Sequence, residues 1–524
     1  MKNTANKKLM SGALVLSLSA IVAKILSAVY RVPLQNLVGN TGFYVYQQIY
    51  PIYGIGMTFA LNGFPIFISK VIAQQSDEKQ QRVVSKYLIL ILNVFSLLCL
   101  LLLFGGSALI AHLMGDDQLT PLIKMVATMF IFMPILAAGR GYFQGRFDML
   151  PTAKSQVLEQ IVRVGMIVAV AFISVDAHWP VYKMGTWAIA SSTVAAIFAS
   201  LFFIKWFYDI LKLNIKINWN KMCLLTKRFL IEGGILCLIS AMILLLQLVD
   251  SFTVKNGLVM AGMSPDVAKA TKGIYDRAQP LVQLGNVLAV SFATTLLPAL
   301  TQALKKHDEK QFFSASSLLV KVGLTIAIPA CLGMLVIMPE LNWLLFGNEA
   351  GSAALSIYNI SIIFASVIFV YNSILQSVDN IAVIFKAIMA GLIFKVIFNA
   401  WAVQKWQING ASMITVLSLA IIALIMHQSI STDIKRWIYH KNHFGMKLIL
   451  GNGFMVGLAL LASWIVQHLI LINTRAYAGL FILIVMSVGI LSYGVFIFNS
   501  NMFNNDELVQ LPLGDKLVRL RRGK

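Results

Sequence analysis

Charged residues are scarce in this sequence. Asp, Glu, Lys and Arg make up 12% of the 524 residues, whereas soluble domains contain about 25%. Hydrophobic residues reach 58%, above the roughly 45–50% of soluble domains. The composition therefore excludes an ordinary soluble protein and indicates a polytopic membrane protein.

Cysteine and histidine are also sparse. The four cysteines are scattered, with no C-x-x-C pair, so neither a disulfide framework nor a zinc site is indicated. His440 and His443 are close in sequence but have no acidic or thiol neighbours. No G-x-G-x-x-G, P-loop or G-x-S-x-G string is present. We therefore expect no enzyme, no catalytic residue, no metal and no cofactor.

Long apolar stretches fill the chain, and a spanning helix needs about 20 such residues. We predict an all-α integral membrane fold with fourteen transmembrane helices. The predicted spans are 9–37, 45–73, 87–114, 122–143, 151–175, 182–208, 227–254, 273–304, 312–338, 352–378, 380–402, 409–430, 446–472 and 476–499.

Basic residues outnumber acidic ones 42 to 21, giving a net charge of +21. With the N-terminus in the cytoplasm, roughly two thirds of Lys and Arg fall in cytoplasmic segments, which is the positive-inside bias. Orientation and contact with anionic lipids thus account for the charge, and nucleic acid is not an expected partner. We predict a plasma-membrane protein with both termini in the cytoplasm.

A weak internal repeat suggests two halves. The sequence is YQQIYP at 46–51 and YDRAQP at 275–280, and each precedes a long helix with a second proline. We predict an N-lobe of six spans at 1–208, a basic linker at 209–226 and a C-lobe of six spans at 227–440. Residues 441–524 add two helices and a basic tail. Such repeats place a substrate site between the halves near the bilayer midplane.

Several cations lie within the predicted spans or at their ends. A cation costs about 2.5–3.5 kcal/mol at a helix centre, so it persists only where it faces protein, water or a ligand. The pattern predicts a transporter with a cationic interior and an anionic cargo. The cations are Lys24, Arg31, Arg163, Arg277, Lys321, Lys386 and Lys395.

Three stretches carry a family resemblance. They are RGYFQGRFDMLPTAKSQVLEQIVRV at 140–164, GFYVYQQIYPIYGIGMTFALNGFPIFISKVIA at 42–73 and KGIYDRAQPLVQLGNVLAVSFATTLLPAL at 272–300. They resemble the SpoVB-like polysaccharide-biosynthesis proteins of Gram-positive bacteria, in the superfamily of MurJ-type lipid II flippases and MATE exporters. The resemblance implies a two-lobed flippase that carries an undecaprenyl-diphosphate-linked sugar, with lipid II the first expectation, to the outer leaflet. It also implies a cavity lined by helices one, two, seven and eight, and a lipid-tail groove on the last two helices.

The resemblance carries over to particular residues. MurJ-type proteins have arginines on the first helix and one opening the eighth, and here Lys24 and Arg31 are on the first and Arg277 opens the eighth. The second helix departs from that pattern, because its polar groups are Tyr50, Tyr53 and Asn62 rather than an arginine. This difference leaves room for another lipid-linked glycan.

The chemistry of the cargo supports the same residues. A guanidinium can meet two diphosphate oxygens at once, while an ammonium supplies a point charge. Arg31, Arg277 and Lys24 are therefore the main candidates for diphosphate binding. The alternatives are snorkelling at the membrane edge for the two arginines and a structural ion pair for Lys24.

Other polar residues are candidates for cavity or coupling roles. Glu159 and Arg163 are four residues apart, so we expect them to neutralise each other, and Lys395 is the second-half counterpart of Arg163. We expect Asp250 to balance the cavity cations or to bind a monovalent coupling cation. Coupling is not obligatory, because moving one charge across 100 mV supplies about 2.3 kcal/mol and an anion moves outward downhill.

The sequence is less consistent with three other functions. A MATE-type cation or drug antiporter would place acids on its first two helices, which here carry cations and no Asp or Glu. A membrane glycosyltransferase would need a large external loop, and the longest, about 255–272, is short. A scaffold that binds cell-wall synthesis enzymes would not need buried cations. A lipid-linked glycan and membrane lipids are the expected partners, and cell-wall enzymes are further candidates.

The charge asymmetry makes a topological prediction. Loops 115–121, 176–183 and 339–351 should lie outside the cell. In a variant without native cysteines, Asp117→Cys should react with an impermeant thiol reagent in intact cells, and Lys306→Cys should be protected. The reverse labelling pattern would contradict the orientation.

Overall fold

The computed structural model is helical throughout the part it describes. It describes residues 16, 18–287, 300, 303–304, 308–439, 443–469 and 474–509, without the side chains of 439, 505 and 506. The all-α membrane fold class is confirmed. Pro298, His440, both chain termini and the basic tail lie outside the described residues.

The helices fall into two compact units. Unit 1 comprises the chain up to Asp276 together with Asn399–Gln407, and unit 2 comprises Arg277–Phe398 and the chain from Ile408. The break at Asp276 lies well beyond the basic linker 209–226, so the seventh predicted span belongs to unit 1. The six-helix lobes of the transporter stay a prediction.

Residues 18–29 are helical, and the α-helices that follow in unit 1 before the break are labelled α1 to α12. They are α1 Arg31–Thr58, α2 Phe64–Ala73, α3 Glu78–Gly105, α4 Ser107–Leu113, α5 Thr120–Ala127, α6 Met133–Gly145, α7 Leu150–Asp176, α8 Val181–Ser200, α9 Ile204–Leu211, α10 Trp219–Arg228, α11 Gly234–Met260 and α12 Pro265–Asp276.

After the break, the first described helical residues are 278–287. The helices that follow are α13 Glu309–Val336, α14 Met338–Phe346, α15 Ser352–Asn359, α16 Ser361–Ser377, α17 Ile381–Gln428, α18 Thr432–Tyr439, α19 Phe444–Leu469, α20 Arg475–Asn499 and α21 Asn505–Val509. The middle of α17 belongs to unit 1.

The described residues contain ten helices that could cross a membrane, or eleven if the bent pair α8 and α9 counts as one span. The predicted count of fourteen is not confirmed. Two of the ten, Leu18–Ala73 and Ile381–Gln428, each cover two predicted spans. A straight helix of 56 residues would be about 84 Å long, far more than the hydrocarbon core of about 30 Å.

Each long helix is interrupted where the sequence predicts a gap between spans. Gly39 has φ 70° and ψ −176°, and Gln407 has φ 53° and ψ −136°. Glycine adopts a positive φ at little cost, whereas glutamine does not. The predicted break points are therefore present, although the hydrogen-bonded helix runs through them. The predicted span 273–304 lies partly outside the described residues.

Small residues let the helices of unit 1 approach closely. Gly141 and Gly145 on α6 face Ile68 and Ile72 on α2, and a β-carbon at either glycine would lie within 3 Å of these side chains. Small residues at such contacts are typical of membrane helices, where packing replaces the hydrophobic effect as the force between helices.

The described part of unit 1 contains two π-helical turns, Phe59–Gly63 and Phe229–Gly233. The ring of Phe229 stacks on Phe64, with 4.4 Å between centroids. A β-carbon at Gly63 would lie 2.7 Å from the Cα of Cys237 and closer still to its sulfur. The contact therefore requires glycine at position 63.

Replacing Gly63 with alanine should push the π turn Phe59–Gly63 away from Cys237 on α11. We expect a loss of about 1–3 kcal/mol of stability, the usual cost of overpacking, measured as a lower melting temperature in detergent. Gly165→Ala on α7 is the matched control, because its β-carbon meets nothing within 4 Å. Equal melting temperatures for the two variants would contradict this packing.

Unit 2 has its own apolar core. The last two long helices, α19 and α20, pack against each other, and α14 packs on α20. Phe481, Val485, Ala459 and Ile337 are buried in one cluster there. These helices form part of the body of unit 2.

Candidate functional site

Arg31 at the start of α1 is buried against an aromatic ring. Its side chain is 1% exposed, and its guanidinium carbon lies 4.2 Å from the centroid of Tyr50. The Nε atom has no hydrogen-bond partner. The positive charge is therefore stabilised by a ring face.

Arg163 on α7 lies in similar surroundings. Its guanidinium carbon is 4.9 Å from the ring centroid of Tyr53 and 5.2 Å from that of Tyr30. Its terminal nitrogens donate to Gln160 Oε1 at 2.7 Å and, at 3.5 Å, to the hydroxyl of Tyr46. Its Nε atom has no hydrogen-bond partner.

Four tyrosines surround these arginines, and we call them the tyrosine cage: Tyr30, Tyr46, Tyr50 and Tyr53. The three on α1 follow one another at spacings of four and three residues, which places them on one helix face. The hydroxyls of Tyr30 and Tyr46 are 2.8 Å apart. The local sequence thus places three of the four cage tyrosines on one face of α1.

The cage tyrosines surround two cations, Arg31 and Arg163. None of the salt bridges within 4 Å in the described part of the chain involves Arg31 or Arg163. Neither arginine can lose its charge by deprotonation. Two buried guanidiniums beside ring faces and hydroxyls make an environment that favours an anion.

The predicted pairing of Glu159 with Arg163 is wrong. Glu159 accepts a hydrogen bond from Arg140 on α6 at 2.6 Å, and both side chains are buried. Arg140 also donates to Ser155 and to the backbone carbonyl of Ala60, each at 3.1 Å. These contacts hold the Arg140 guanidinium against Glu159, while Arg163 turns toward the tyrosines.

Asp250 on α11 lies among polar groups of unit 1. It accepts hydrogen bonds from the Tyr275 hydroxyl at 2.9 Å and from Asn399 Nδ2 at 3.0 Å. Asp276 on α12 forms a buried ion pair with Lys272. The predicted role of Asp250 in balancing or coupling stays a prediction.

Two predicted residues near the start of the chain are exposed. The side chains of Lys24 and Asn62 are both accessible, whereas Tyr50 is buried beneath Arg31. Arg31 and Tyr50 thus lie together in the cage, and Lys24 lies about two helical turns before Arg31.

Arg277 belongs to unit 2 and is fully buried. One of its terminal nitrogens donates to Asn342 at 3.0 Å and to Asn348 at 2.8 Å. Its guanidinium carbon lies 5.1 Å from the ring centroid of Phe346. Arg277 is held by side chains from α14 and the residues just after it.

The remaining intramembrane lysines of unit 2 differ in environment. Lys395 is buried and donates to the Thr415 hydroxyl at 2.8 Å. Lys386 is exposed, and Lys321 is paired with Glu507 at 2.8 Å. The described residues include no cluster of three or more His, Cys, Asp or Glu side chains suited to a metal ion.

Comparison with known proteins places the chain among polysaccharide-biosynthesis proteins. The family model described as polysaccharide biosynthesis protein matches residues 9–304. The chain is 35% identical over 518 residues to the uncharacterized membrane protein YabM of Bacillus subtilis, covering 98% of this chain and 96% of YabM. The chain belongs to the polysaccharide biosynthesis protein family. The resemblance to SpoVB-like and MurJ-type proteins is thereby confirmed.

Two further matches concern MurJ. This polysaccharide biosynthesis family member is 25% identical to the lipid II flippase MurJ of Bacillus subtilis over 449 residues, which are 79% of this chain and 80% of MurJ. It also resembles a solved structure of the lipid II flippase MurJ in an inward closed conformation, with a TM-score of 0.70 and 16% identity. That match covers 92% of this chain and 98% of the MurJ chain, and shows a shared fold.

Sequence reasoning missed two features of this family member's site. Arg140 is not among the residues predicted for the site, yet it is fully buried in α6 and paired with Glu159. The tyrosine cage was not recognised either, although the spacing of Tyr46, Tyr50 and Tyr53 marks one helix face. A basic residue followed by an aromatic helix face was the signal that could have shown the cage.

The Arg140 pair generates a stability prediction. Glu159→Gln should leave the Arg140 charge buried without its counter-ion, and breaking such a pair costs about 3–5 kcal/mol. We expect a lower melting temperature and lower membrane abundance. Glu349→Gln, at an exposed position, is the control with the same charge change. A Glu159→Gln protein as stable as the control would contradict the importance of the pair.

Proposed function

We propose that this protein is a flippase that moves an undecaprenyl-diphosphate-linked peptidoglycan precursor, lipid II, from the inner to the outer leaflet by alternating access. The observation that carries the proposal is the tyrosine cage, whose two arginines form no salt bridge within the described residues. An enzyme is not proposed, since the related proteins are transporters.

The charge of the cage fits a diphosphate. Burying cations in a membrane is costly unless an anion or polar groups compensate them. The unpartnered Nε atoms of Arg31 and Arg163 are donors that ring faces cannot satisfy. Phosphate oxygens accept such hydrogen bonds bidentately. We infer that Arg163 joins Arg31 in binding the cargo, and Arg277 and Lys24 stay candidates from the sequence.

The name of the MurJ relative supports the choice of lipid II. A diphosphate, however, is common to many lipid-linked glycans, and the cage would bind any of them through the same oxygens. The predicted second span, 45–73, has tyrosines in place of the arginine that MurJ-type proteins carry there. The cargo headgroup can therefore be held differently than in MurJ-type proteins. Another lipid-linked polysaccharide unit is therefore the alternative cargo.

Membrane potential supplies a direction for this transport. An anionic cargo moves outward with a gain of about 2.3 kcal/mol per charge at 100 mV. Asp250, with the polar groups of Tyr275 and Asn399 around it, is the candidate for a monovalent coupling cation. A MATE-type cation antiporter is disfavoured because the cage is cationic.

Substitution of the arginines tests the proposal. Arg31→Ala, Arg163→Ala and Arg277→Ala should each weaken lipid II binding by roughly ten- to hundredfold, since a charge-assisted hydrogen bond contributes about 1.5–3 kcal/mol. Lysine at each position should recover only part of the affinity. Binding and flipping of fluorescent lipid II in liposomes are the measurements.

The matched control is Arg436→Ala, which removes an exposed arginine of α18. It should bind and flip lipid II as wild type does. Wild-type flipping by the Arg31 and Arg163 variants would overturn the anionic-cargo proposal. If other undecaprenyl-diphosphate-linked glycans compete better than lipid II, the alternative cargo is favoured.

A further inference from the structure

Lys321 on α13 is a cation whose partner comes from far along the chain. Its ammonium lies 2.8 Å from the carboxylate of Glu507, and it is fully buried. Glu507 is on α21, the short helix that follows the last long helix. A carboxylate 186 residues away thus neutralises a buried lysine that belongs to the body of unit 2.

The segment Met502–Val509, which we call the C-terminal strap, is anchored at several points. The side chains of Met502, Phe503 and Leu508 are buried. Phe503 packs against Phe444, and the Lys321 ammonium lies 5.7 Å from the ring centroid of Phe444. Lys321 therefore lies beside the Phe444 ring of α19 and the Glu507 carboxylate of the strap.

The backbone of the strap also contacts the Glu507 carboxylate. The second oxygen of Glu507 accepts a hydrogen bond from the backbone nitrogen of Asn504 at 2.9 Å. Lys447 donates to the carbonyl of Asn501 just before the strap. Both oxygens of Glu507 are thus engaged, one by Lys321 and one by the strap itself.

The depth of Lys321 follows from a neighbouring contact. The Tyr493 hydroxyl on α20 donates to the carbonyl of Thr325 at 3.1 Å. Lys321 is one helical turn, about 6 Å, from Thr325 toward the start of α13. It therefore lies level with the last turn of α20, which ends at Asn499. This is the end of α20 that the sequence predicts to face the cytoplasm. Phe444, whose ring lies near the Lys321 ammonium, is the first residue of α19, which the sequence also predicts to begin at the cytoplasmic side.

We propose that Lys321 is a binding site for the phosphate of an anionic phospholipid headgroup, and that Glu507 of the C-terminal strap occupies this site as an internal anion. An ammonium near the cytoplasmic surface of the membrane attracts lipid phosphate. The same strap leads into a basic sequence with Lys516, Arg519, Arg521, Arg522 and Lys524. Anionic lipid in the inner leaflet attracts these residues and competes with Glu507 for Lys321.

Phosphatidylglycerol binding by the purified full-length protein tests this site, with phosphatidylcholine as the uncharged comparison. Native mass spectrometry counts the lipids retained. Glu507→Gln removes the internal anion and should tighten phosphatidylglycerol binding at least fivefold relative to wild type. Lys321→Gln should abolish this gain in a Glu507→Gln background. Glu349→Gln is the matched control and should bind as wild type.

The exchange of charges separates a lipid site from a purely structural pair. The double variant Lys321→Glu with Glu507→Lys restores an ion pair but removes the cation from α13. Lipid retention by this variant should fall below that of Glu507→Gln. Retention equal to that of Glu507→Gln would overturn the proposal, as would a Glu507→Gln protein that binds like wild type.

A second measurement applies if the Glu507 variant does not fold. Leu508→Cys, in a protein whose native cysteines are replaced, reports whether the strap is docked, because Leu508 is buried. Phosphatidylglycerol vesicles should increase labelling of this cysteine severalfold, and phosphatidylcholine vesicles should not. Labelling that is the same in both vesicles would contradict displacement of the strap by anionic lipid.

Discussion

The burial of arginine charge against tyrosine rings is the constraint on which the candidate site depends. A guanidinium keeps its charge at any physiological pH, so a membrane protein must surround it with groups that stabilise a cation. In unit 1 the tyrosine cage does this for Arg31 and Arg163. Ring faces and hydroxyls offer less compensation than a carboxylate, and this leaves attraction for an anionic cargo.

The distribution of the acids completes this arrangement. Three buried ion pairs are present in the described residues: Arg140 with Glu159, Lys272 with Asp276, and Lys321 with Glu507. Each joins a buried cation to a specific carboxylate. The acids are half as numerous as the bases, so many cations cannot have a carboxylate partner of their own. The excess of basic over acidic residues is thus seen locally in unit 1, where Arg31 and Arg163 form no salt bridge within the described residues.

Close helix contacts explain how these cations are held in fixed positions. The glycines of α6 let it pack closely on α2. Arg140 on α6 thereby reaches the π turn before α2, where the carbonyl of Ala60 accepts one of its hydrogen bonds. The adjacent π-helical turn changes the helical register after Phe59, since a π turn contains an extra residue. Backbone geometry and charge placement therefore depend on each other in this part of unit 1.

The sequence by itself determined the membrane class, the helical architecture and the identity of Arg31 and Arg163 as unusual residues, because hydropathy and buried charge are local properties of a chain. It also located the breaks near Gly39 and Gln407, since polar gaps mark span ends. Tertiary structure alone decided the partners. Glu159 pairs with Arg140 rather than with its helical neighbour, and Lys321 with Glu507, because such choices depend on which helices touch and how each is rotated about its axis.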